Sequence, residues 1–133
     1  YDSSGLIILT NDGDIYNRII HPRRKIIKKY IVVTKGKFNN EEINSLKTGV
    51  NIGDYVTKEA KVKIISYKDD KTTLEIGISE GKNRQIRKMC SAVNHDVLAL
   101  KRIAIGKIKL GDLKRGEYRD LTKEELQYIK NLD

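Results

Sequence analysis

The sequence predicts an α+β domain built on a mixed, largely antiparallel sheet with helices packed against it. Three observations carry this. Strand-like and helix-like patterns follow one another as strand, helix, strand, helix, hairpin, helix, strand, helix. Residues 61–78 form two alternating runs broken by Asp69-Asp70, an antiparallel hairpin with one wet face. Two helix starts carry complete capping boxes, Asn39 with Glu42 and Thr122 with Glu125. The 133 residues fit one domain, 1–133, with no internal repeat or linker to divide it.

In chain order, Leu6-Ile7-Ile8-Leu9 is an unbroken apolar run before Asn11-Asp12-Gly13, the pattern of a central strand buried on both faces. Ile15, Ile19 and Ile20 then keep helical spacing until His21-Pro22, where proline stops the helix. A histidine beside proline, with only His95 elsewhere, is poor evidence for a metal site. Ile26 to Thr34 is rich in Ile and Val and reads as a strand, in which Tyr30 fits a half-buried aromatic. After the Asn39 cap, Ile43 and Leu46 form an apolar stripe and Gly49 ends the helix.

Val62, Ile64 and Ser66 alternate with Lys61, Lys63 and Ile65 in the first hairpin strand; Leu74, Ile76 and Ile78 alternate with Thr73, Glu75 and Gly77 in the second. Val97 to Leu110 is strand-like again, but Arg102 shares a parity with Leu98 and Leu100, so a charge enters an otherwise apolar face. Arg102 therefore marks either the strand's exit to solvent or a polar cleft near Lys101. Lys107 and Lys109 read as a solvated face, Gly111 to Gly116 as a loop, and Leu121 and Leu126 as the staple of a final packing helix.

The charge narrows the function classes. Net charge is +9, from 27 Lys and Arg against 18 Asp and Glu, and the pI near 9.6 is that of a nucleic-acid binder. The cations are spread over strands, loops and helices instead of lining one amphipathic helix, which disfavours a membrane surface. No apolar run approaches the roughly 20 residues that span a bilayer. The single cysteine, Cys90, forms no disulfide or multi-cysteine metal site within one chain and reads as a core thiol, which favours a reducing cytoplasm. With no Trp and one Phe, base stacking falls to some of the seven Tyr.

The most informative stretch is Glu80-Gly81-Lys82-Asn83-Arg84-Gln85-Ile86-Arg87-Lys88-Met89. With Asn83 as the cap, steps of about 100° per residue put Arg84, Arg87, Lys88 and Ser91 on one helix face, and Ile86, Met89, Cys90 and Val93 on the other. Cations in a first turn oppose the helix dipole, a local rule broken in the way functional sites break it. Spacing alone also fits a solvated basic face. No glycine-rich run followed by Lys and Ser or Thr supports a nucleotide-hydrolysing loop.

Four separated pieces resemble the pseudouridine synthases, specifically the RsuA/RluB branch acting on ribosomal RNA. They are Ser3 to Gly13, His21-Pro22 with Lys28-Lys29-Tyr30, Glu80 to Met89, and Leu100-Lys101-Arg102 with Gly106. They occur in family order, and the similarity runs over essentially the whole chain. The resemblance implies the pseudouridine synthase fold and an enzyme without cofactor or metal, which detaches a uracil, turns it and rejoins it through carbon after a covalent step by an Asp. That Asp ends an Arg-Leu-Asp triplet, at a position falling just before Tyr1; Asp2 is two residues out of register. By the same resemblance Tyr30 stacks on the uracil and takes the proton from its carbon 5. Arg87 pairs with the catalytic carboxylate, and Leu100 is the apolar floor. Lys82, Asn83, Arg84, Lys101 and Arg102 are the physical choices for RNA contacts near that cleft.

A chain that starts at Tyr1 without Met and enters an apolar strand within five residues reads as part of something longer. The resemblance then implies an RNA-binding domain and the beginning of the catalytic domain upstream. The chain as given is expected to be inactive and to self-associate through uncovered sheet, whereas the parent is expected to be monomeric. Charge alone supports equally a non-catalytic RNA-binding module; a protein-interaction domain with an incidental basic surface is a third reading.

Overall fold

In the computed structural model the described residues are 2–5, 26–80, 84–109, 111 and 120–131. The apolar run at 6–9, the turn at 11–13, the helix at 15–20 and His21-Pro22 lie outside them, as do Lys82 and Asn83. Six strands and three helices are described: β1 (Asp2–Gly5), β2 (Lys28–Lys35), α1 (Asn40–Thr48), β3 (Lys61–Lys68), β4 (Lys71–Ile78), α2 (Gln85–Ala92), β5 (Val97–Ile105), β6 (Ile108–Lys109) and α3 (Lys123–Lys130).

The sheet runs β1-β5-β2-β4-β3, with β6 on β5. Only the β1–β5 pair is parallel among the described strands, which gives the mixed, largely antiparallel sheet expected. The hairpin between β3 and β4 turns on Asp69 and Asp70, both at positive φ (55° and 60°). That is the two-residue geometry whose twist matches the strands, and Asp tolerates it. Both capping boxes form, and Gly49 closes α1 at φ 136°.

The main core lies between α1, α2 and one face of the sheet. Val32, Leu74, Ile76 and Val62 meet Leu46 of α1 and Ile86, Met89 and Cys90 of α2. The apolar helix face expected from spacing is the buried one, with Val93 at its end. A second cluster of Ile26, Ile105, Ile108 and Ile129 seats α3. The run Val97 to Leu110 is two strands, not one. Gly106, at φ 58°, starts the turn between them, where a Cβ would collide with Tyr128.

Outer strand β3 buries less than its alternation suggests. Ile64, Ile65 and Tyr67 are 46%, 50% and 47% exposed, because β3 ends the sheet and a register shift between Ile64 and Ser66 leaves Ile65 as a bulge. His95, unassigned from sequence, is a buried clasp. Its Nδ1 lies 2.8 Å from the Lys35 carbonyl, its Nε2 2.9 Å from Glu42 Oε1, and its ring stacks on Phe38 at 3.8 Å.

Candidate active site

Three elements carry the described residues singled out above. β2 is a strand because Tyr30, Ile31, Val32 and Val33 suit a pleated, half-buried surface. It lies between β4 and β5, and its register sets Tyr30 opposite Arg102 and Val32 opposite Leu100. Directly opposed residues share a face, so Tyr30, Leu100 and Arg102 project from the same side of the sheet. Tyr30 and Leu100 are half-buried against the cluster that holds Ile86 and Met89 of α2, the helix that carries Arg87.

The parity puzzle around Arg102 resolves here. The β2–β5 register shifts twice, between Lys29 and Tyr30 and between Val33 and Thr34, so Ile103 and Leu98 are extra residues on β5. Each bulge flips the alternation. Val97 and Ile105 thereby join Leu100 and Arg102 on one face, and Arg102 is half-buried beside Tyr30 instead of leaving for solvent. Lys101, grouped with Arg102 from sequence, falls on the other face, opposite Ile31.

The entrance to α2 differs from expectation. Arg84 occupies the N-cap position, in the left-handed conformation (φ 55°, ψ 27°) and without a side-chain cap, in place of a capping Asn83. For a residue with a Cβ that conformation costs about 1–2 kcal/mol. Gln85 holds this start from within. Only 2% exposed, it donates from Nε2 to Glu80 Oε2 at 2.8 Å and accepts at Oε1 from the Tyr55 hydroxyl at 3.0 Å. The Lys58 N–H adds a bond to the same Glu80 oxygen at 3.1 Å. Sequence reading passed over Gln85 because an amide in a basic run looks like solvent-facing filler.

Arg87 is half-buried at the border of α2, with Nη1 withdrawn from solvent. Arg84 is exposed, and Lys88 reaches Asp54 at 3.3 Å in an exposed pair that contributes little. Lys28 is a residue that sequence reasoning quoted but gave no role. It lies two positions before Tyr30 on the same face, and its Nζ donates to the Glu80 carbonyl at 3.3 Å. Burial first, then the nearby Arg102 charge, holds its ammonium below the usual lysine range. The i, i+2 spacing from Tyr30 was the signal available.

One face of the sheet thus offers an aromatic, an apolar side chain beside it, and cations from β2, β5 and α2. That combination can hold a planar base and the anionic backbone on either side of it.

Comparisons with known proteins identify the family and the fold. Residues 1–92 match the family model described as RNA pseudouridylate synthase. An uncharacterised RNA pseudouridine synthase of Aquifex aeolicus is 41% identical over 129 residues, covering 97% of this chain and 52% of that protein. Ribosomal large subunit pseudouridine synthase B of Bacillus subtilis is 37% identical over 134 residues, covering 99% and 55%. A crystal structure of a pseudouridylate synthase superposes with a TM-score of 0.83 at 31% identity, covering 94% of this chain and 54% of that one. The chain spans about half the length of the curated relatives it matches. It belongs to the RNA pseudouridylate synthase family.

Proposed function

We propose that this chain is part of the catalytic domain of a cytoplasmic enzyme that converts a specific uridine of ribosomal RNA to pseudouridine. The observation that carries the reading is the convergence of Tyr30 and Leu100 on the sheet face packed by α2, the helix bearing Arg87. In the reaction the N1–C1′ glycosidic bond breaks and a C5–C1′ bond forms, with the proton leaving C5 and N1 gaining one. The target base flips out of its stack onto Tyr30, with Leu100 as the apolar floor. An Asp just upstream of Tyr1 is the nucleophile, and Arg87 orients that carboxylate and keeps it ionised. Tyr30 takes the C5 proton, while Arg84, Arg102, Lys82 and Asn83 hold the flanking backbone. The same reading makes the chain beginning at Tyr1 inactive by itself.

Tritium release from ribosomal RNA labelled at uridine C5 tests this. The protein extended upstream through that Asp is expected to release tritium, and the chain from Tyr1 is not. Release by the chain alone, or no release by the extended protein on any ribosomal RNA, overturns the reading. Mass spectrometry of ribosomal RNA from cells lacking the gene then identifies the uridine.

A further inference from the structure

The face of the sheet turned away from Tyr30 and Leu100 gathers lysines from four strands. In β2–β5 the register carries one row from Lys61 through Gly77 and Lys29 to Ala104, and the next from Lys63 through Glu75 and Ile31 to Lys101. At the hairpin end Lys68 faces Lys71, which faces Lys35. The Ile65 bulge is what keeps Lys68 in phase with Lys61 and Lys63. All seven lysines are exposed, and Glu75 is the one acid at these positions of β2–β5.

A face that serves solubility alone mixes signs. This one sets seven lysines against the single acid Glu75, and it places like charges directly opposite each other at Lys35, Lys71 and Lys68, an arrangement that destabilises a sheet. At the centre of the field a Cβ built on Gly77 would sit 3.2 Å from Ile27 Cγ2, 3.7 Å from Lys61 Cβ and 3.8 Å from Lys29 Cγ, so the lysine rows flank a low, apolar centre. Among the described helices, α1 and α2 pack on the other face. With strands about 4.8 Å apart and alternate residues about 6.8 Å apart, the field spans roughly 14 by 20 Å. Its breadth suits a polyanion of regular charge more than a single phosphate.

We propose that this face, opposite α1 and α2, is a second RNA-binding surface, which holds the phosphate backbone of an RNA helix while the other face takes the uridine. The inference rests on the functional reading above for the identity of the polyanion, but the two can fail separately, since tritium release reports on one and lysine contacts on the other. The partner is recognised by backbone and shape, the way double-stranded RNA is generally held, and no base is read.

The test uses the chain and a blunt RNA duplex of about 16 base pairs, long enough to span such a field. In the variant Lys61→Gln/Lys63→Gln/Lys68→Gln, the log-log dependence of affinity on salt is expected to flatten by about 2 to 3, at 0.7 to 0.9 per phosphate contact. The variant Lys47→Gln/Lys107→Gln/Lys123→Gln, altered outside the field, is expected to keep the original slope. Equal slopes in all three proteins, an equal fall in both variants, or a salt-independent original chain overturns the proposal. Lysine acetylation of the unaltered chain decides the matter even where a variant folds poorly. The duplex is expected to shield Lys29, Lys63 and Lys101 and leave Lys47 and Lys123 reactive; uniform reactivity with and without duplex overturns it.

Discussion

Gln85 and Glu80 are joined at 2.8 Å across the entrance to α2, and the same Gln85 amide accepts the Tyr55 hydroxyl at 3.0 Å. One buried side chain thus ties a strand end, a loop and a helix start together, at the place where Arg84 supplies no side-chain cap. Replacing Gln85 by Leu leaves two polar partners short of a bond and is expected to lower stability by about 1–3 kcal/mol. Tyr55→Phe leaves the buried Gln85 Oε1 without its hydroxyl donor and should cost about 1–3 kcal/mol. Urea unfolding of both single variants and the double gives the coupling, which is expected to be non-additive because the residues share one network.

Arg87 is expected to act on turnover. In the protein extended through the upstream Asp, Arg87→Ala should lower kcat by about 100-fold or more, the scale of losing one partner of a buried ion pair, while RNA affinity falls by less than about tenfold. Equal losses in both would make Arg87 a binding residue. Tyr30→Phe keeps the stacking ring and removes the phenol, so activity is expected to collapse with affinity retained; an active variant leaves Tyr30 with stacking alone.

Cys90 is fully buried, and burial pushes its thiol up to about 12. At pH 8 only about one thiol in ten thousand is ionised, so the folded chain is expected to resist a disulfide reagent that reacts with the thiolate. Unfolding in urea should expose one reactive thiol per chain. Rapid modification of the folded chain at pH 8 would contradict the packing of α2.

Glu42 closes the α1 cap and holds His95. Burial by itself would raise its carboxyl, but the Asn39 N–H, the His95 ring and the His95 charge together bring it below the usual carboxylate value. A carboxyl lowered in the folded state contributes stability above its unfolded pKa, about 4.3, and loses it as pH falls through the lower folded value. Stability is therefore expected to fall on acidification through and below that region. Glu42→Gln should remove this part of the dependence, as read from urea midpoints between pH 3 and 7.

Gly106 stands at φ 58° beside Tyr128 and Ile26. Gly106→Ala adds the strain of a left-handed alanine, about 1 kcal/mol or more, and displaces the Tyr128 ring. A lowered melting temperature with the fold kept is the expected outcome, and Tyr128→Ala should relieve part of the loss.

Much of the architecture is legible in local sequence because its causes are local. The Asn39–Glu42 and Thr122–Glu125 boxes, the Asp69-Asp70 turn and the Ile86, Met89, Cys90 stripe each need only a few neighbouring residues to form. The helix boundary at Arg84 and the burial of Gln85 were less legible. Both depend on Tyr55 and Glu80, which approach α2 only in the folded chain.

The sequence by itself determined the types of the described elements, the two capping boxes, the buried face of α2 and, through four separated pieces, the family. Only the tertiary structure decided that Arg102 lies half-buried beside Tyr30 instead of leaving for solvent, and which other β5 residues share its face. Alternation with period two predicts faces only while the register is unbroken, and the extra residues Leu98 and Ile103 reset it without any mark in composition. That is why Val97 and Ile105 join Leu100 and Arg102 on the Tyr30 face. Four strands, distant in sequence, assemble a field of lysines on the opposite face because pairing across the sheet, unlike spacing along the chain, brings their charges together.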